Sequence, residues 1–152
     1  VVAVEPDPST AEILANNLRE NGNFSNVQIV NKALGAEKGI LKFRSQGAGH
    51  VTNAIDEKGN LEVEVLTMDN LCSQLGLWPD VIKMDVEGYE YEVLKGSRKA
   101  LHEARVIGIE VHSTVLEHRG LRRPLKEIKR FIQQAGFKVL VIDPSHLIGV
   151  RK

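Results

Sequence analysis

Asp85, Glu87 and Glu90 crowd into one stretch, PDVIKMDVEGYEYE, from Pro79 to Glu92. Val81, Ile82, Met84 and Val86 read as a short buried strand. Gly88 breaks it before a helical run in which Tyr91, Leu94, Ser97 and Leu101 share one face. The three acids therefore belong at the strand's carboxyl end and in the turn after it, where side chains of an open α/β sheet converge over a crevice. Like charges gathered there cost free energy through repulsion and desolvation, so they call for a function or a cationic partner.

A second strand, RVIGIEV from Arg105 to Val111, brings Glu110 and His112 to its own carboxyl end. Two apart, they share one face if the strand persists. A preceding parallel strand would set Asp85 and Glu87 beside them. A third acid, Glu5, ends the β-branched strand Val1 to Val4, and Pro6 stops that strand. Nucleotide-binding α/β folds use an acid there to accept from two ribose hydroxyls. An exposed strand-end acid is the other reading.

The elements that must position these groups follow from the pattern. Asp7 is an N-cap with Pro8 at the first helical position, opening a helix whose Ile13, Leu14 and Leu18 face inward and which Gly22 closes. Val27 to Val30 is the next strand, running into Ala33, Leu34 and Gly35. From Gly39 to Leu66 the pattern alternates, which predicts two or three antiparallel strands as an insertion at about 36–67. The stretch Gln46-Gly47-Ala48-Gly49-His50 lacks phosphate-loop spacing and reads as a turn. Asp69 is expected to cap a short helix through Leu71 and Leu75 to Gly76. Ser113 to Gly120 reads as a loop able to cover the site. Pro124 opens a helix with Leu125, Ile128, Ile132 and Ala135 at helical spacing. The bases Arg119, Arg122, Arg123, Lys126, Lys129 and Arg130 form a solvated face or, as a second reading, an anion-binding rim. Phe137 to Ile142 and Leu147 to Val150 make a closing antiparallel pair around the turn Asp143-Pro144-Ser145-His146.

Composition sets the bounds. The 152 residues suffice for one domain, read as spanning 1–152, and 42% hydrophobic with 26% charged residues is the balance of a globular protein. Lys plus Arg and Asp plus Glu number 20 each, so no global charge favours nucleic acid or an anionic membrane. The single Cys72 excludes an internal disulfide and suits a reducing compartment, hence a cytoplasmic expectation. No apolar run approaches the roughly 20 residues that span a bilayer. Asn23-Phe24-Ser25 fits a glycosylation triplet and is read as a loop.

The string IKMDVEGYE, preceded by PD and followed by VLKG, resembles the signature of the FkbM-type methyltransferases. VVAVEPDP, NVQIVNKALG, VEVLTMDNL and VIGIEVH match other family pieces in family order. The resemblance implies a Rossmann-like class I methyltransferase sheet, mostly parallel with antiparallel C-terminal strands and a small β insertion. It implies S-adenosylmethionine as cofactor, bound by Glu5 at the ribose, by Pro6, by Ala33 and Leu34 beside the adenine, and by Asp85 next to the methyl group. It also implies O-methylation of a sugar, polyketide or other small-molecule acceptor, with no nucleic acid or membrane partner. Asp85 and His112 are the catalytic candidates, and Glu87, Glu90 and Glu110 complete an acceptor pocket.

One family element is missing. The first strand here matches the family's second, and no glycine-rich turn precedes it. The absent strand would lie between the Glu5 and Asp85 strands, leaving inner edges whose unpaired groups cost about 1–3 kcal/mol each if buried. The expectation is an N-terminally truncated fragment of a longer chain, with which the lack of an initial Met agrees, and Glu5 and Asp85 on one rim of one sheet. A metal on Asp85, Glu87, Glu110 and His112 is a further reading, but no HExxH-type spacing occurs and the site is assigned no metal. A Rossmann oxidoreductase would need a GxGxxG that is absent, and a non-catalytic remnant or interaction domain is the alternative from another class.

Overall fold

The computed structural model describes residues 1–22, 24–48, 50 and 53–151. Asn23 of the glycosylation triplet and Gly49 of the glycine-rich turn lie outside the described residues. The chain folds as two units, Val1–Leu66 and Thr67–Lys152.

In the first unit, β1 (Val2–Val4) pairs in parallel with β2 (Gln28–Val30), Val4 beside Val30. Between them runs α1 (Pro8–Glu20), capped as its sequence dictates, with Asp7 accepting from the Ser9 and Thr10 amides. α1 buries Ala11, while Leu14 and Leu18 are half-buried. Ile13, expected inside, is 45% exposed, because it falls beside the stripe at Ala11, Leu14 and Leu18. A second sheet has the order β3-β6-β4-β5: β3 (Ala33–Leu34), β4 (Gly39–Arg44), β5 (Ala54–Ile55) and β6 (Leu61–Leu66). β4 is antiparallel to both β5 and β6, as the alternation predicted, and β3 is parallel to β6. Its core is Ala33, Phe43, Val63 and Val65.

In the second unit, α2 (Met68–Leu75) ends at Gly76, whose φ of 63° is left-handed. Its cap is Thr67, which accepts from the Asn70 amide, and not Asp69. The Asp69 carboxylate instead accepts the Lys99 and Ala100 N–H groups at 3.0 and 2.8 Å. The sheet has the order β7-β8-β10-β9: β7 (Val81–Met84), β8 (Val106–Glu110), β9 (Lys138–Val141) and β10 (His146–Val150). β7 and β8 are parallel, and β10 is antiparallel to β8 and β9.

The helical run after Gly88 is two helices, α3 (Glu90–Lys95) and α4 (Arg98–Glu103). Gly96 caps the first, and the Asp69 carboxylate starts the second. Ser113 to Gly120, expected as a loop, is mostly α5 (Ser113–His118), and α6 is Pro124–Gln134. Leu94, Leu101, Ile107, Ile109, Ile128, Ile132 and Leu147 are each no more than 2% exposed. Each contributes about 1.5–3 kcal/mol by leaving water. The opposite sheet face stays open, with Val81 64% and Leu140 63% exposed, so β7 alternates and is not buried on both faces.

Candidate active site

β7 and β8 run parallel with Met84 beside Ile109, so both end on one edge of the sheet. Asp85 follows β7 directly. His112 follows β8 and is the N-cap residue of α5. Between β7 and α3 the chain turns on Glu87 and Gly88, with φ of 50° and 89°. The left-handed backbone at a non-glycine residue costs about 1–2 kcal/mol. Packing holds it there: a Cβ on Gly88 would lie 2.3 Å from Val115 Cγ1 of α5. Arg119 adds a cation–π contact, its guanidinium 4.8 Å from the Tyr89 ring centre.

This turn sets Glu90 at the start of α3, where it is wholly buried at 0% exposure. Glu90 Oε1 accepts the Gly88 N–H at 2.9 Å and the His112 Nδ1–H at 2.7 Å. A carboxylate can only accept, so the bond puts a hydrogen on Nδ1 and turns Nε2 towards the other acids. Nε2 lies 3.2 Å from Glu87 Oε2 and 3.9 Å from Asp85 Oδ1. Asp85 Oδ2 is 3.3 Å from Lys83 Nζ. The four residues of the DVEGYE turn and the IEVH strand end thus form one cluster, in which Glu90 is the fully buried member, bonded to His112.

The electrostatics reflect that crowding. Burial by itself pushes the His112 imidazole down, but the bond to Glu90 and the charges of Glu90, Glu87 and Asp85 outweigh it and hold the ring above its usual value. Glu87 is pushed up, chiefly by burial and further by Asp85, Glu110 and Glu90, against the lowering effect of His112.

Glu110 departs from the expectation of sharing a face with His112, because β8 ends at Glu110. Its Oε2 faces His146 Nε2 at 3.5 Å, across the register pair of β8 and β10. His146 Nδ1 meets Asp143 at 2.9 Å. Sequence reasoning passed over His146; its signal was the Asp143-Pro144-Ser145-His146 spacing, which lets the Asp carboxylate accept the Ser145 and His146 N–H groups. Beside α6, a cavity of about 700 Å³ sets Arg122, Arg123 and Lys126 against Glu117 and Glu127.

In the first unit, Glu5 directly follows β1. Its Oε1 accepts the Asp7 N–H at 2.8 Å, and the Asn31 side chain donates to the Glu5 and Pro6 carbonyls at 2.8 and 3.2 Å. Burial pushes the Glu5 carboxyl up, the Asp7 N–H lowers it, and the Asp7 charge raises it. Among the described residues, the second Glu5 oxygen has no hydrogen-bond partner. Ala33 lies in the core and Leu34 is half-buried.

Glu5 follows β1 and Asp85 follows β7, which lie in different sheets, so the two acids do not share one rim of one sheet as expected. The mixed α/β arrangement with an antiparallel closing pair is consistent with a Rossmann-like fold. The family model described as the methyltransferase FkbM domain matches residues 1–139, and the chain belongs to the FkbM methyltransferase family. It is 31% identical over 118 residues to the hexuronic acid methyltransferase AglP of Haloferax volcanii, a match covering 76% of this chain and 48% of that protein. The crystal structure of methyltransferase FkbM from Methylobacillus flagellatus KT has a TM-score of 0.67 at 18% identity, over 99% of this chain and 36% of that one. The match thus takes in about half the length of the first relative and about a third of the second.

Proposed function

We propose that this protein transfers a methyl group from S-adenosylmethionine to a hydroxyl of a small-molecule acceptor, and that the acceptor is a sugar. The observation that carries the reading is His112, clamped by buried Glu90 and turned on Asp85 and Glu87 in a chain of the FkbM family. The relative named as a hexuronic acid methyltransferase supports a sugar over a polyketide.

Glu5 fits the cofactor's ribose. It stands at a strand end, half-buried, with one oxygen anchored by the Asp7 amide and the other available to a hydroxyl donor. Pro6, the Ala33 backbone and Leu34 are assigned to the same cofactor. When bound, it supplies a methyl group on a sulfonium, whose sulfur leaves as a neutral thioether.

The remaining work falls to the cluster, because methyl transfer to a hydroxyl requires alignment and removal of one proton. Asp85, with its side chain 42% exposed, orients the acceptor hydroxyl. The hydroxyl oxygen would receive the methyl group that the cofactor supplies, and the one proton that the hydroxyl loses would pass to Asp85 or His112. Glu87 and Glu110 contact the acceptor, and Glu90 fixes the imidazole. The buried, unpaired Cys72 suits a reducing interior, and we extend the proposal to a cytoplasmic location. Among the described residues no helix is long and apolar enough to cross a membrane. Asp85→Asn tests the assignment: turnover should fall by about 100-fold or more. Retained turnover with unchanged cofactor affinity would remove Asp85 from the mechanism.

A further inference from the structure

We infer that Asp85, Glu87 and His112 hold a divalent cation, and that this cation receives the oxygen of the acceptor hydroxyl. The second half of the inference rests on the proposed function; the cation site stands on the geometry alone. One carboxylate oxygen from each acid and one nitrogen of His112 lie within 4.8 Å of one another. Adjacent ligands of an octahedral ion bound at about 2.1 Å stand roughly 3 Å apart, and opposite ones roughly 4 Å. The separations of 3.2 and 3.9 Å from His112 Nε2 fall in that range.

Glu90 supplies an independent argument. Metal-binding histidines donate their other ring N–H to a carboxylate, which fixes the tautomer and aims the lone pair at the ion. Glu90 does this from full burial, while its Oε2 is a buried oxygen that has no hydrogen-bond partner among the described residues. A carboxylate so costly to bury needs compensating charge nearby. Three acids face the one imidazole here, Glu90 at 2.7 Å, Glu87 at 3.2 Å and Asp85 at 3.9 Å, a gathering that a divalent ion would hold together.

The donor set names the ion's class. Two carboxylates with one imidazole suit a divalent ion that takes both oxygen and nitrogen, such as Mn²⁺ or Fe²⁺, better than a thiolate-seeking metal. The Asp85 and Glu87 side chains are 42% and 37% exposed, which leaves coordination positions open to acceptor oxygens. With the ion in place His112 is a ligand, the ion's charge acidifies the bound hydroxyl, and the proton leaves to water. The ligands come from a turn and a separate strand end, so no short spacing in the sequence announces them.

Titration of the protein with Mn²⁺, followed by the electron paramagnetic resonance of the free ion, tests the site. One ion per chain is expected. Asp85→Asn, Glu87→Gln and His112→Ala should each weaken it at least tenfold, while Glu92→Gln leaves it within about twofold and melting curves confirm that each variant is folded. Failure to bind at millimolar Mn²⁺, or binding that the three variants leave unchanged, overturns the site. Methyl transfer that persists in protein stripped by chelator overturns the cation's role and leaves the proposed function standing. Specific Mn²⁺ binding without transfer to any sugar hydroxyl keeps the site and removes the acceptor reading.

Discussion

Asp7, the N-cap of α1 in the first unit, and Glu87, in the turn after β7 in the second, are acids treated in opposite ways. In the first, Asp7 Oδ1 accepts from the Ser9 amide, the Thr10 amide and the Ser9 hydroxyl at 2.9, 3.1 and 2.5 Å, and Oδ2 accepts from the Asn53 side chain at 3.1 Å. Neutral donors surround a buried carboxylate and satisfy it. Burial raises Asp7, but bonds from Ser45, Ser9 and Thr10 together outweigh it and hold the carboxyl below its usual value. In the second, Glu87 is pushed up while three acids face one imidazole. The contrast separates acids that build the fold from acids held ready for a ligand: the first kind is saturated by the chain, the second is not.

The comparison can be broken from either side. The largest effect should come from Gly88→Ala, which needs a left-handed alanine and drives a Cβ into Val115. The strain of that backbone and of overpacking is worth about 2–4 kcal/mol, read by chemical denaturation. Glu5→Gln should weaken binding of S-adenosylhomocysteine about tenfold with stability little changed, since a charged acceptor for a hydroxyl is lost; unchanged affinity in calorimetry would leave Glu5 a plain strand-end acid. Asp7→Ala should cost about 1–2 kcal/mol as a lost cap. Glu87→Gln, with ions removed by chelator, should be neutral or stabilising because it relieves repulsion.

The smallest and sharpest test is pH. Asp7 is depressed from 3.8, so its stabilisation is present above that value and is lost as pH falls through its folded pKa. Glu87 is raised from 4.5, so its stabilisation is present below that value and is lost as pH rises through its folded pKa. In chelator, the advantage of wild type over Asp7→Asn should shrink on acidification below about pH 4. The stability of Glu87→Gln relative to wild type should grow as pH rises above about 4.5. Parallel trends in the two variants would erase the distinction between the regions.

Much of this arrangement is legible in the residues. Asp7 with Pro8 announces the first helix, the alternation of Leu61 to Leu66 announces an antiparallel strand, and the acids after Met84 announce the site. What stayed hidden depends on contacts distant in sequence. Ser113 to His118 carries too few apolar residues for a helical stripe, and its packing of Val115 against Gly88 lies outside local pattern. The break between α3 and α4 is hidden because Tyr91, Leu94, Ser97 and Leu101 keep one face through it, while Asp69, far upstream, takes the amides that start α4. Glu90 is legible as one of the crowded acids and reads as part of an acceptor pocket; only the fold shows that it is buried against His112. The same holds for His146, whose pairing with Glu110 follows from strand register.

The most direct measurement is transfer of a labelled methyl group from S-adenosylmethionine to a sugar hydroxyl by wild type and His112→Ala, with S-adenosylhomocysteine affinity measured beside it. The account predicts transfer by wild type, a loss of about 100-fold or more in the variant and nearly unchanged affinity. Equal turnover in the two proteins would contradict it.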